Sequence, residues 1–150
     1  MSKVPASAKD NLIRVLLVDD EESWSELAGI NLSANSIEVS TIARASDALK
    51  LIHEQIFNCV VSDYKMPEMN GIQLCTEIRK TSKIPFILYT GQGSEEVASA
   101  AFAAGVDDYV RKEETLAHYH VLARSIKYAV EKKRAEDGLK ESEESVPSTI

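Results

Sequence analysis

Four apolar runs in this chain each stop at a polar residue of a kind that carries chemistry. Val15-Leu16-Leu17-Val18 ends at Asp19-Asp20, Val60-Val61-Ser62 at Asp63, and Phe86-Ile87-Leu88-Tyr89 at Thr90. Tyr109-Val110 is followed, just beyond Arg111, by Lys112. Runs that are apolar without alternation suit strands covered on both faces. As parallel strands of one sheet they would bring all four polar sets to the same rim. Open α/β sheets place their ligand sites in the crevice beyond the carboxyl ends of the strands. Three carboxylates, a hydroxyl and an ammonium gathered there suit a cation together with a phosphate.

The spacing between those runs has a regular beat. Strands are expected at 14–19, 37–42, 58–62, 85–90 and 107–111, with helices at 21–34, 45–55, 71–82 and 94–104 and a last one from about 115. Ser46-Asp47 and Ser94-Glu95-Glu96 offer caps and favourable first-turn charge. Gly105 stands where a helix should stop, and Pro85 opens a strand, where its missing donor does no harm. Five β–α units in succession predict an α/β fold, a doubly wound parallel sheet with helices on both faces. A strand order of 2-1-3-4-5 would set the ends of strands 1 and 3 side by side at the switch point.

At 150 residues the chain holds one domain with a short extension. Residues 1–11 read as a polar tail, 12–130 as the domain, and 131–150 as a charged helical extension with a frayed end. The formal net charge of -7 argues against binding nucleic acid directly, because a phosphate backbone would be repelled. Cys59 and Cys75 lack metal-type spacing and read as reduced core fillers. No run approaches the length of a membrane span, and the first residues lack a signal-peptide core. The expectation is a cytoplasmic protein with no membrane partner.

The last helix looks packed from Leu116 to about Val130, with Leu122, Ile126, Ala129 and Val130 on or near one face. Beyond it, Glu131-Lys132-Lys133-Arg134-Ala135-Glu136 has high helix propensity and almost no apolar content. Stepping three or four residues from Val121 gives Ser125, Tyr128, Lys132, Ala135, Leu139, Ser142 and Val146. That series is half apolar, a weak coiled-coil signal. The plainer reading is a solvated helix that ends towards Pro147.

Each site residue has an ordinary explanation when taken alone. Asp19-Asp20-Glu21-Glu22 would serve as a helix start, Asp63 as a loop residue before Met66-Pro67, Lys112 as a surface lysine and Thr90 as a strand residue. None of these explanations predicts their joint placement on one rim. His53, His118 and His120 all fall in helical segments and read as surface or packing residues.

The chain resembles the receiver domain of two-component response regulators over roughly residues 13 to 130. The resemblance rests on Val15 to Glu21, on Val60-Val61-Ser62-Asp63-Tyr64-Lys65-Met66-Pro67-Glu68-Met69-Asn70-Gly71, on Leu88-Tyr89-Thr90-Gly91 and on Ala104 to Lys112. It implies a flavodoxin-like five-stranded fold with an extended last helix. It also implies a phosphoaccepting switch, not a metabolic enzyme, with weak self-phosphorylation and autodephosphorylation. Asp63 would take a phosphoryl group from a partner histidine kinase or phosphotransfer protein, and Asp19, Asp20, Asp63 and the Lys65 carbonyl would hold Mg²⁺ or Mn²⁺. Thr90 and Lys112 would contact the phosphoryl group, Tyr109 would turn as Thr90 closes, and Lys65 and Gln92 would tune phosphoryl lifetime. A homodimer formed on phosphorylation, through the strand 4, strand 5 and helix 5 face, is the expected output. The extension is similar to linkers leading into sensor or kinase domains, so a standalone regulator and the receiver of a hybrid kinase both stay open.

The metal follows independently from electrostatics. Two carboxylates about 4 Å apart repel by about 4 kcal/mol at an effective dielectric of about 20. A hard, oxygen-seeking cation removes that penalty and lets two anions meet. The sequence departs from the family in one place, since Glu113 follows Lys112 where a cis-proline is usual. A cis bond without proline costs about 3–4 kcal/mol, so a trans bond is expected here. Among rivals, a flavin phosphate would be repelled by Asp19-Asp20-Glu21-Glu22. An aspartate-nucleophile phosphatase would need an acid where Lys65 stands. A phosphorylation-independent receiver acting as a protein-interaction module is the remaining alternative.

Overall fold

The computed structural model describes residues 12–91 and 93–145, with side chains through Leu139. The expected tail at 1–11, Gln92, and the end of the extension from Val146 lie outside the described residues. Five strands, β1 Ile13–Val18, β2 Ile37–Ile42, β3 Cys59–Ser62, β4 Phe86–Thr90 and β5 Asp108–Arg111, alternate with five helices. These are α1 Glu22–Ser33, α2 Ala45–Glu54, α3 Gly71–Arg79, α4 Glu95–Ala103 and α5 His118–Ser145. Every pairing is parallel and the order is β2-β1-β3-β4-β5, the doubly wound α/β sheet expected.

Successive strand residues face opposite sides, and both sides are apolar. Val15 and Leu17 point into a layer with Val61, Ile87 and Tyr89, closed by Ala28 and Leu32 of α1 and by Leu122 and Ile126 of α5. Leu16 and Val18 point the other way, into a layer with Val60 and Leu88, closed by Ala48 of α2, Leu74 and Ile78 of α3 and Ala101 of α4. Cys59 and Cys75 are free thiols buried in these layers, and burial pushes the Cys75 thiol up to about 11. Neither is a nucleophile at neutral pH.

Some boundaries differ from the sequence reading for local reasons. β1 ends at Val18, so Asp19 begins the loop, although its N–H still donates to the Ile42 carbonyl at 3.0 Å. Helix α2 starts at Ala45, whose side chain is fully buried, and its N-cap is Arg44 with no side-chain cap, so Ser46 and Asp47 lie inside the helix. Ser94 does cap α4, accepting from the Val97 N–H at 3.2 Å. Helix α5 begins at His118, after a turn in which the His118, Tyr119 and His120 N–H groups donate to the Thr115, Leu116 and Ala117 carbonyls. Leu116 belongs to that turn and is 68% exposed, not packed. Burial along α5 stops at Val130, yet the helix continues to Ser145. At about 1.5 Å per residue it outruns the sheet by several turns. Among the described residues no helix is long and apolar enough to cross a membrane.

Candidate functional site

The strand order makes the site. β1 and β3 are neighbours with Val18 opposite Ser62, so the residues that follow them, Asp19 and Asp63, emerge side by side. The Asp63 N–H donates to the Val18 carbonyl at 2.9 Å, which ties the two loop starts together. β4 lies beside β3 and β5 beside β4, which brings Thr90 and Lys112 to the same rim, and the Lys112 N–H donates to the Thr90 carbonyl at 3.0 Å. A cavity of about 720 Å³ opens there, lined by Asp20, Asp63, Lys65, Thr90, Lys112 and Trp24 among others.

Inside it the charges are closely set. Lys112 Nζ donates to Asp19 Oδ2 at 2.6 Å and to Asp63 Oδ2 at 3.1 Å. All three side chains are nearly shut off from water, with 4% of Lys112, 1% of Asp19 and 6% of Asp63 exposed. The other carboxylate oxygens accept backbone donors, Asp19 Oδ1 from the Glu21 N–H at 2.9 Å and Asp63 Oδ1 from the Tyr64 N–H at 2.7 Å. Asp20 stands exposed at the mouth, and Asp19, Asp20 and Asp63 each bring one oxygen within 4.8 Å of the others.

Three carboxylates face one ammonium, and two members of the cluster, Asp19 and Lys112, hold their protons more tightly than usual. Burial pushes the Asp19 carboxyl above its ordinary value, and the Lys112 hydrogen bond offsets that only in part. Burial alone would lower the Lys112 ammonium, but the hydrogen bond and charge of Asp19, with the charge of Asp63, outweigh it and leave the group raised. The remaining negative excess, offered by hard oxygen donors in a crevice open to water, fits Mg²⁺ or Mn²⁺.

Two glycines hold the walls. Gly71 opens α3 and its N–H donates to the Tyr64 carbonyl at 2.8 Å, folding the loop after Asp63 back on itself. A Cβ there would come within 2.3 Å of the Asp63 carbonyl oxygen. Asn70, just before it, forms a reciprocal cap with Gln73, so the loop and the helix start are fixed together. On the other wall, a Cβ at Gly93 would fall 1.3 Å from the Tyr109 hydroxyl. Glycine is what lets the half-buried Tyr109 ring lie against the β4–α4 loop, packed on the same apolar layer as Leu88.

Among the described residues, Asp19, Asp20, Asp63, Lys65, Thr90, Tyr109 and Lys112 are therefore at the rim or on its wall, and Gln92 lies outside them. Asp19, Asp63, Thr90 and Lys112 are buried, Asp20 and Lys65 are exposed, and Tyr109 leans on the loop beyond Thr90. The Lys112–Glu113 bond is trans, as is every described peptide bond. Sequence reasoning missed four contributors. Trp24 lines the cavity, and Lys112 Nζ lies 5.3 Å from its ring centroid. Its place in the first turn of α1, directly after the Asp19-Asp20 loop, was a usable signal. Glu113 and Glu114 line the mouth. His118, read as a surface or packing residue, is buried in hydrogen-bonded contact with Tyr89.

The comparisons with known proteins agree with this geometry. A family model described as the response regulator receiver domain matches residues 15–124. The chain is 36% identical over 104 residues to the phosphate regulon transcriptional regulatory protein PhoB of Rhizobium meliloti strain 1021, covering 67% of this chain and 46% of that protein. It is 34% identical over 98 residues to the transcriptional regulatory protein SrrA of Staphylococcus aureus, covering 65% and 41%. The chain thus spans less than half the length of these curated relatives. A solved receiver domain from Methanospirillum hungatei JF-1 superposes with a TM-score of 0.75 at 28% identity, covering 83% of this chain and 98% of that one. A matched family profile, a shared fold and an acidic rim with its lysine make this chain a member of the response regulator receiver domain family.

Proposed function

We propose that this domain accepts a phosphoryl group on Asp63 from a histidine kinase or phosphotransfer protein and switches its surface in response. The observation that carries the reading is Asp63 itself, a buried carboxylate at the switch point, flanked by two carboxylates and bonded to a buried ammonium. Asp19, Asp20, Asp63 and the backbone carbonyl of Lys65 would hold Mg²⁺ or Mn²⁺, which when bound supplies positive charge for phosphoryl oxygens. An Asp63 oxygen forms the new O–P bond while the P–N bond of the donor phosphohistidine breaks, its electron pair staying on the ring nitrogen. Lys112 supplies the second positive charge, and the Thr90 hydroxyl donates to a phosphoryl oxygen. Tyr109 then moves deeper as the β4–α4 loop closes. Slow hydrolysis of the acyl phosphate at the same site resets the switch.

Leu27 and Ile30, exposed one and two turns along α1 from Trp24, give a donor protein an apolar footing beside the mouth. A cytoplasmic setting suits such a donor, and neither nucleic acid nor a membrane enters the reading directly. Residues 12–130 form the switching unit, and 131–150 a helical lead to a partner or to a further domain of a hybrid kinase. Incubation with acetyl phosphate and Mg²⁺ should add one hydroxylamine-labile phosphoryl group by intact mass, and Asp63→Asn should take up none. Uptake by Asp63→Asn equal to wild type would refute the assignment. No uptake by wild type from any donor would leave the phosphorylation-independent interaction module instead.

The exposed side chains of α5 favour a particular output. Val121, Tyr128 and Leu139 are 58%, 69% and 64% exposed and fall on one series of alternating four- and three-residue steps along α5, with Phe102 of α4 also exposed. A second copy of the phosphorylated chain, paired along this face, is the occupant proposed. Sedimentation with and without beryllofluoride should show a dimer only with the mimic, and a monomer in both states at high concentration would point to a separate reader protein.

A further inference from the structure

Lysine carries its ammonium on a flexible four-carbon stem, so a buried catalytic lysine needs more than its carboxylate partners to fix its direction. In this chain the rest of the seat is aromatic. Lys112 Nζ lies 5.3 Å from the Trp24 ring centroid and 5.6 Å from that of Tyr89, both within reach of the attraction between a cation and a ring face. Tyr89 is held in turn. Its hydroxyl bonds His118 Nε2, and His118 Nδ1 bonds the Thr115 carbonyl in the turn that opens α5. A carbonyl can only accept, so Nδ1 carries a proton; in the neutral ring Nε2 is then the acceptor, and the Tyr89 O–H donates to it. Burial, then Tyr119 and the charges of Asp19 and Asp63, push the Tyr89 phenol well up, which keeps it a donor. The His118 ring is itself packed, 6.1 Å from the Trp24 ring edge-on and 4.0 Å from that of Tyr119.

We propose that Trp24, Tyr89 and His118 are positioning residues for phosphoryl transfer: His118 pins the β5–α5 loop to Tyr89, and Tyr89 with Trp24 holds the Lys112 ammonium. An ammonium has three N–H donors, and Asp19 and Asp63 take two of them. With carboxylates and rings around it, the third N–H is confined to the cavity where a phosphoryl oxygen arrives. None of the three side chains reacts. The inference rests on the phosphoacceptor reading above.

The test is the rate of phosphorylation by acetyl phosphate at saturating Mg²⁺, followed by intact mass, for Tyr89→Phe, His118→Phe and the double variant. Both substitutions keep a ring in place and break the Tyr89–His118 hydrogen bond; Tyr89→Phe also gives up the bond to Tyr119, and His118→Phe the bond to the Thr115 carbonyl. Each should lower the maximal rate about tenfold, the loss expected when an orienting buried hydrogen bond goes. The Mg²⁺ concentration for half-maximal rate should stay at the wild-type value, and the double variant should be no slower than either single one, since all three lose the same link. Folded single variants that react at the wild-type rate overturn the inference, even where their melting temperatures fall. Should those variants not fold, Trp24→Leu against Trp24→Phe decides: a slower leucine variant supports the seat, and equal rates overturn it. A wild-type domain that takes up no phosphoryl group defeats the underlying reading. Normal uptake by wild type with unaffected variants defeats this inference alone.

Discussion

Replacing Lys112 with alanine should destabilise the metal-free domain by about 3–5 kcal/mol, the usual result of stripping one partner from a buried ion pair. The substitution leaves Asp19 and Asp63, 1% and 6% exposed at the side chain, facing each other with no cation between them. Urea unfolding in a chelating buffer measures the loss, and a difference below about 1 kcal/mol, the range of a surface pair, would contradict it. Mg²⁺ should recover more stability in Lys112→Ala than in wild type, because a bound ion answers the charge that the lysine no longer meets. Phosphorylation should stay poor even so. Lys112→Arg should recover only part, since a planar fork does not take the place of a point charge.

The pH dependence of that difference has a fixed sign. The folded-state value of Lys112 is raised above the ordinary ammonium value of 10.5. Its contribution is therefore fully present below 10.5 and is lost only as pH climbs through the raised value. The stability gap between wild type and Lys112→Met should stay constant through neutral pH and close only in strongly alkaline buffer.

The sheet was legible because its central strands β1, β3 and β4 are buried on both faces, and few other arrangements bury Val15, Leu16, Leu17 and Val18 together. Once the order of the strands is granted, Asp19, Asp20, Asp63, Thr90 and Lys112 must converge, whatever the loops do. What stayed hidden depends on how helices meet across the sheet. Trp24 on α1 and His118 at the start of α5 are far apart in sequence, and only the packing of both helices on one sheet face brings them to Tyr89 and Lys112. A histidine pattern cannot show that its acceptor is a tyrosine on a strand. Ser46 misled as a cap because polar residues near a helix start look alike until the burial of Ala45 decides where the first turn lies. Leu116 misled in the opposite way, being apolar in a helix-forming stretch yet spent on a turn. The charged run after Val130 was read from propensity, and it stays helical to Ser145 with no core beneath it.

Asp20→Ala should separate stability from function. Asp20 is the exposed member of the three carboxylates, and it shares a 4.8 Å oxygen cluster with two buried ones. Removing it deletes like-charge repulsion and empties no core, so the melting temperature in chelating buffer should hold or rise. Its loss should also take away a direct oxygen ligand. Mg²⁺, which should raise the melting temperature of wild type by binding the folded state alone, should then have little effect on the variant. Acetyl phosphate should leave Asp20→Ala unmodified over the time in which wild type is fully converted. The paired result, a domain as stable as wild type and inert to the donor, is what a carboxylate kept for binding a cation predicts. An Asp20→Ala domain that takes up phosphoryl with the wild-type dependence on Mg²⁺ would show that the cation sits elsewhere.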